Sequence, residues 1–203
     1  MSRKPALLAS ILILTVSTSA MTQGPKLELT PYAGVYIPLT NVVQLVLLPI
    51  QGTHQASVAF GGRATFWVGG PFGLEGSFNY APSNVTGGIL QQTVTGEAYV
   101  WAGSGRLMIR VGKLTSPVSL LLGGGIGYVG RGGEAYEDFE NKGSVGYSGT
   151  FALRFKITNS VAIRLDLEDY IYSSKFLFQD VESEGQLQLD LVIAAGLSIG
   201  FGG

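Results

Sequence analysis

The residues from Val145 to Ile157 run Val-Gly-Tyr-Ser-Gly-Thr-Phe-Ala-Leu-Arg-Phe-Lys-Ile. Every second position is apolar or glycine: Val145, Tyr147, Gly149, Phe151, Leu153, Phe155 and Ile157. Between them lie Gly146, Ser148, Thr150, Ala152, Arg154 and Lys156. A period of two sends these two sets to opposite faces of a β-strand. The stretch is longer than an ordinary soluble strand of ~5–6 residues. It is long enough for the ~9–11 residues with which a tilted strand crosses a bilayer.

The same alternation recurs along the chain. Counting 145–157 as the sixth, eight strands are predicted: 26–36, 55–68, 72–81, 95–111, 118–130, 145–157, 161–172 and 187–201. In the last, Leu187, Leu189, Leu191, Ile193, Leu197, Ile199 and Phe201 share one face, with Gln188, Asp190 and Ser198 opposite. The connections alternate in length. Short ones at 69–71, 112–117 and 158–160 are rich in turn formers. Long ones are expected at 37–54, 82–94, 131–142 and 173–186. Short turns at one end and long loops at the other is the habit of outer-membrane barrels. Pro31 falls inside the first strand and cannot donate to a ladder, so a bulge or a strand end is expected there. Asp169 falls on the oily face of the seventh strand and is expected near the loop end, where charge costs little.

Lipid offers backbone groups no partner, so membrane strands must close on themselves. Eight strands leave an interior just wide enough for side chains to fill. The fold class expected is therefore all-β, an eight-stranded antiparallel up-and-down transmembrane β-barrel. Its inward charged set is Arg63, Glu75, Arg106, Arg110, Arg154, Lys156, Arg164, Asp166, Glu168 and Asp190. Buried charges need partners to be tolerated, which favours paired charges bridging the lumen over an ion or proton path. Arg154 and Lys156 are expected to find acids on adjacent strands. Gly123, Gly125 and Gly127 face inward and are expected to leave room for arginines opposite. Phe66, Phe72, Phe155 and Phe201 gather near the short turns, and Tyr80, Tyr99, Tyr128 and Tyr147 near the loops. Two such girdles bounding an aliphatic band suit the two membrane interfaces.

Composition agrees. Only 13% of the 203 residues are charged, about half the ~25% of an ordinary soluble protein. The body of the chain has no apolar run of the ~20 residues a membrane helix needs. Residues 1–20 read as a cleavable signal peptide. Arg3 and Lys4 open it, residues 6–16 are apolar, and Ser17-Thr18-Ser19-Ala20 offers a small-residue cleavage site after Ala20. A single N-terminal anchor is the alternative, disfavoured by the short run. The barrel domain is then 21–203. Of 13 Lys and Arg, Arg3 and Lys4 leave with the leader, so 11 basic residues face 14 acidic ones and the charge is about −3. That opposes general nucleic-acid binding. The chain has no Cys, which excludes a disulfide scaffold and a thiolate metal site.

Motifs of chemistry are scarce. The single histidine, His54, has Ser57 three positions on, and on a strand the two side chains point to opposite faces. A hydrolase built on His54 is disfavoured. Glu134, Glu137, Asp138 and Glu140 make one long loop acidic, and Asp180, Glu182 and Glu184 another. Solvated loop tips explain both more simply than weak cation binding, and neither matches a calcium loop. The run 123–127 lacks the Lys and Ser/Thr of a phosphate loop and any following helix. No catalytic site, cofactor or metal is expected. The first long loop is unusually apolar, at Val42, Val43, Leu45, Val46, Leu47 and Leu48. It reads either as a loop packed on its neighbours or as an apolar patch at the barrel mouth.

The phrase Leu29-Thr30-Pro31-Tyr32-Ala33-Gly34-Val35-Tyr36, the motif Arg164-Leu165-Asp166-Leu167-Glu168-Asp169-Tyr170 and a final strand ending near Phe201 resemble the small bacterial outer-membrane barrels of the OmpX, OmpA-barrel and OmpW class. Gly202 and Gly203 depart from that class, which usually ends on the aromatic residue. The resemblance implies a monomer in the outer membrane of a Gram-negative-type bacterium. Its partners would be the lipid and, during insertion, the outer-membrane assembly machinery. It implies a structural or surface-interaction role with a filled lumen. The alternatives are a narrow channel or carrier for small or hydrophobic solutes, and a soluble periplasmic ligand-binding barrel with its oily face inward.

Overall fold

The computed structural model describes residues 27–40, 43–44, 51–89, 92–113, 116–137, 142–174, 177–178, 181–182 and 186–202. The predicted signal peptide and its cleavage site lie outside them. Eight long strands form the wall: β1 Leu27–Pro38, β2 Ser57–Gly69, β3 Phe72–Ile89, β4 Gln92–Val111, β5 Val118–Gly132, β6 Gly143–Lys156, β7 Val161–Ser174 and β8 Gln186–Phe201. Each pairs antiparallel with the strand before and after it. β8 returns to β1 from Leu27↔Phe201 to Pro38↔Asp190, which closes the barrel.

Polarity settles which face is which. Large apolar side chains stand outward and bare, Leu107 at 69% exposure and Tyr147 at 75%. The charged and hydroxylated side chains point in and are buried. A soluble barrel requires the opposite arrangement, so the periplasmic ligand-binding alternative falls. The tyrosine girdle is packed ring on ring. Tyr80 lies 5.7 Å from Tyr99, and Trp101 lies 5.1 Å from Tyr128 and 6.5 Å from Phe78.

Three local expectations are corrected. The loop expected at 82–94 is mostly strand, with β3 and β4 paired from Phe72↔Ile109 out to Ile89↔Gln92. Gly87 and Gly88 look like loop residues, but Val85, Thr86, Ile89, Thr93, Val94 and Thr95 have the branched side chains that favour a pleated strand. Second, Pro31 makes no bulge. Its pairing with Gly62 of β2 is continuous. On the β8 side the ladder passes from Leu29↔Ile199 to Tyr32↔Gly196 in unchanged register. Pro31 has no N–H to give, and Thr30 bonds the Ser198 hydroxyl at 2.7 Å across the opening. The bulge lies instead between Trp67 and Gly69, where Gly70 takes a positive φ of 56° in the turn.

Third, the inward glycines of β5 make room for other groups than guanidinium tips. A Cβ on Gly123 would meet the Met108 sulfur at 2.3 Å. On Gly125 it would meet the Gly105 carbonyl at 2.0 Å and the Arg106 Cα at 2.8 Å. On Gly127 it would meet the Tyr170 ring at 2.8 Å. Asp169 does stand outward and half-buried, beside Gly149 of β6. Short strands also occur inside the expected long loops, at Val43–Gln44, Gln51–His54, Leu177–Phe178 and Val181–Glu182. A single 3₁₀ turn, Glu134–Tyr136, lies in the third and buries Tyr136.

Candidate functional site

The lumen concentrates the polar chemistry of the molecule. Period-two alternation delivers it: Arg63 from β2, Glu75 from β3, Arg106 from β4, and Arg164, Asp166 and Glu168 from successive inward positions of β7. At mid-height these six close a ring of alternating charge. Arg63 donates to Glu168 at 2.8 Å. Glu168 accepts from Arg106 at 3.1 Å, and Arg106 reaches Glu75 at 3.2 Å. Glu75 accepts two bonds from Arg164. Arg164 donates to Asp166 at 2.8 Å, and Asp166 returns to Arg63 at 3.3 Å. Three guanidiniums balance three carboxylates, and all six side chains are sealed from solvent.

Hydroxyls and an amide extend the shell. Thr65 donates to Glu75 at 2.6 Å, Ser77 to Glu168 at 3.1 Å, and Asn79 to the Tyr170 hydroxyl at 3.1 Å. The Arg63 guanidinium stacks 3.9 Å over the Tyr32 ring. Buried charges in such a number persist only when each has several partners.

The other candidates separate from this ring. Arg110 and Arg154 lie nearer the short-turn end and share Glu28, each at 3.2 Å. Arg154 thus finds its acid on β1, across the lumen, rather than on a neighbouring strand. Lys156 points inward, half-buried at the same end, and makes none of these ion pairs. Asp190 belongs to a cluster near the loop end. It accepts from the Tyr172 hydroxyl at 2.6 Å. Arg131 in turn donates to Tyr172 and, at 3.2 Å, to Ser174.

Sequence reasoning missed Glu28, Arg131 and the inward tyrosines Tyr32, Tyr36, Tyr170 and Tyr172. Parity with Leu27 and Leu29 marks Glu28, Tyr32 and Tyr36 as inward, and parity with Arg164 marks both late tyrosines. Val43 lies in its short strand opposite Gly52. Val42, Leu45, Val46, Leu47 and Leu48 lie outside the described residues, as do Asp138, Glu140, Asp180 and Glu184. His54 pairs through its backbone with Val85. Among the described residues no group of three His, Cys, Asp or Glu side chains is placed to hold a metal ion.

Above the ring, a cavity of about 850 Å³ opens at the loop end, lined by Ser57, Ser83, Glu97, Ala98, Arg131 and Glu134 among others. The wall beside it is not fully zipped. Pairing of β2 with β3 stops at Phe60↔Tyr80; β3 is next bonded where Gln55 N–H donates to the Asn84 carbonyl at 3.2 Å, and the short strand Gln51–His54 then pairs from His54↔Val85. Between Tyr80 and Asn84 lies Pro82, which has no N–H for a ladder.

An oily exterior, a charged interior and eight strands closed on themselves describe a membrane barrel. The outer membrane protein beta-barrel domain family matches residues 6–201. The chain belongs to this family. OprG of Pseudomonas aeruginosa is similar in structure, with 12% identity over 89% of this chain and 98% of that one, at a TM-score of 0.67. The neisserial surface protein NspA is similar at 9% identity, over 87% and 97%, with a TM-score of 0.59. OmpW of E. coli is similar at 14% identity, over 89% and 100%, with a TM-score of 0.50. At these identities the likeness is one of fold. A search of curated protein sequences finds no match. The protein is a β-barrel of the Gram-negative outer membrane, embedded in its lipid.

Proposed function

We propose that this protein is a non-conducting outer-membrane barrel with a structural or surface-interaction role and no catalytic site. The sealed six-membered charge ring carries that reading, because it fills the lumen cross-section with side chains held on both sides. It acts as a monomer and enters the membrane through the assembly machinery, for which the final strand ending at Phe201 supplies the signal. Planar-bilayer recording tests the central point. The wild-type protein gives no steady conductance, and Glu75→Ala with Arg164→Ala, which removes two ring members at once, gives a measurable one. A steady conductance from the wild type overturns it.

The unzipped wall beside the mouth cavity favours a second reading, a side opening through which small solutes reach the vestibule above the ring. Pro82→Thr restores the missing N–H and should slow uptake of such solutes into proteoliposomes. Equal uptake by variant and wild type removes this reading.

A further inference from the structure

The mid-height ring balances three cations with three anions; the cluster below it does not. Toward the short turns, the inward charges on the described strands are Glu28 of β1, Arg110 of β4, and Arg154 and Lys156 of β6. Arg164, the next charge up, is already committed to Glu75 and Asp166. Two guanidiniums and an ammonium therefore share one carboxylate.

The guanidiniums are not free to swing out and hydrate. Arg110 is 5% exposed and Arg154 likewise. Arg110 is pinned 3.9 Å over the Trp67 ring, and it reaches Glu28 through one terminal nitrogen at 3.2 Å. Its Nε is buried and has no acceptor among the described residues. Arg154 takes both Glu28 oxygens, through Nε and a terminal nitrogen, each at 3.2 Å. Glu28 is thus used up by two donors, while one donor of Arg110 remains unanswered. A buried cation in excess of its counter-charges demands an anion.

We infer that the short-turn end of the lumen is a binding site for a small free oxyanion of the phosphate class, held by Arg110, Arg154 and Lys156. Guanidiniums match the paired oxygens of such an anion, and Lys156, half-buried on the side nearer the turns, supplies a mobile third charge. Ser119 stands inward opposite Arg154 on β5 and adds a hydroxyl. The site lies inside a closed wall, so a phospholipid headgroup, tied to its acyl chains outside, does not reach it. Access is from the periplasmic mouth.

The test uses the full barrel refolded in a non-ionic, phosphate-free detergent. Inorganic phosphate is titrated against sodium chloride at matched ionic strength, and the thermal midpoint and the phosphorus NMR linewidth are followed. Phosphate should raise the midpoint saturably, beyond the salt control, and broaden the phosphorus signal. Arg110→Gln should weaken the apparent affinity at least tenfold and Lys156→Gln about fivefold, as losses of charge-assisted bonds do. Lys156 makes no ion pair among the described residues, so its variant folds even where Arg110→Gln does not. Short-chain phosphatidylglycerol, added in place of phosphate, should give no saturable shift. A wild-type response equal to that of sodium chloride overturns the inference, as does one unchanged in Lys156→Gln. A shift with the lipid alone overturns it too.

Discussion

Glu168 is the most connected acid of the ring, and neutralising it without changing its shape measures what the ring contributes. It accepts from Arg63 Nε at 3.2 Å and a terminal nitrogen at 2.8 Å, from Arg106 at 3.1 Å and from Ser77 at 3.1 Å. Tyr170 donates to it as well. Glu168→Gln keeps one acceptor oxygen and turns the other into a donor aimed at a guanidinium. Among the ring's carboxylates Arg63 then retains Asp166 at 3.3 Å and Arg106 retains Glu75 at 3.2 Å, with the Tyr32 ring and the Ser148 hydroxyl as their remaining contacts. Breaking a fully buried pair costs about 3–5 kcal/mol. The surviving partners place this case near the lower end, about a hundredfold in the folding constant. Adding Arg63→Met leaves two cations against two anions and should recover at least half of the loss. Urea unfolding in lipid vesicles reads this through Trp67 and Trp101 fluorescence and through heat-modifiable mobility on gels. A Glu168→Gln barrel within about 1 kcal/mol of wild type refutes the claim that the ring bears on stability, and no recovery in the double variant refutes the pairing.

Other outcomes follow from single positions. Gly125→Leu should abolish folding, because its Cβ runs into the Gly105 carbonyl, whereas Gly62→Ala, with open space around it, should fold normally; equal heat-modifiable yields of the two would count against the close approach of β4 and β5. Burial pushes the Tyr136 hydroxyl up to about 12. The folded form thus holds this proton more tightly than the unfolded chain does at ~10, so the packing of the 3₁₀ turn is intact below pH ~10 and lost as pH rises through about 12. Difference absorbance should lose one late-titrating tyrosine in Tyr136→Phe, and an unchanged alkaline profile would contradict it. Thr30→Val should lower stability by about 1 kcal/mol, since it removes the Thr30–Ser198 side-chain bond that spans the gap at Pro31; a Ser198→Ala variant that loses more in the Thr30→Val background than alone would contradict that pairing.

Much of the wall was legible in the sequence, because a period of two is a local signal and membrane strands must repeat it at length. Every strand start fell within a few residues of its observed position. The exceptions have physical causes. Residues 82–89 continue β3 although Pro82, Gly87 and Gly88 are loop formers, because the branched Val85, Thr86 and Ile89 and pairing with β4 together outweigh those three. Pro31 keeps its register because only one of its two neighbours needs a bond from it. In the lumen, alternation tells which side chains face inward but not which strand they reach across to. Arg154 meets Glu28 only because the barrel curves β1 round to face β6, and no spacing along the chain encodes that distance. Arg131 and the inward tyrosines were legible by parity. They escaped notice because tyrosine is expected at the membrane interface.

The ring also bears on how the chain is put together. β7 alone contributes Arg164, Asp166 and Glu168, and its partners Arg63, Glu75 and Arg106 come from β2 to β4. Arg63 and Glu168 are 105 residues apart, and Glu75 and Arg164 are 89. Contacts so distant form late and together. Until β7 swings into place, β2 to β4 carry two guanidiniums with one carboxylate and β7 carries the reverse excess. Neither half can give up its water. The charge balance of the ring is therefore complete only once β7 has joined β2 to β4.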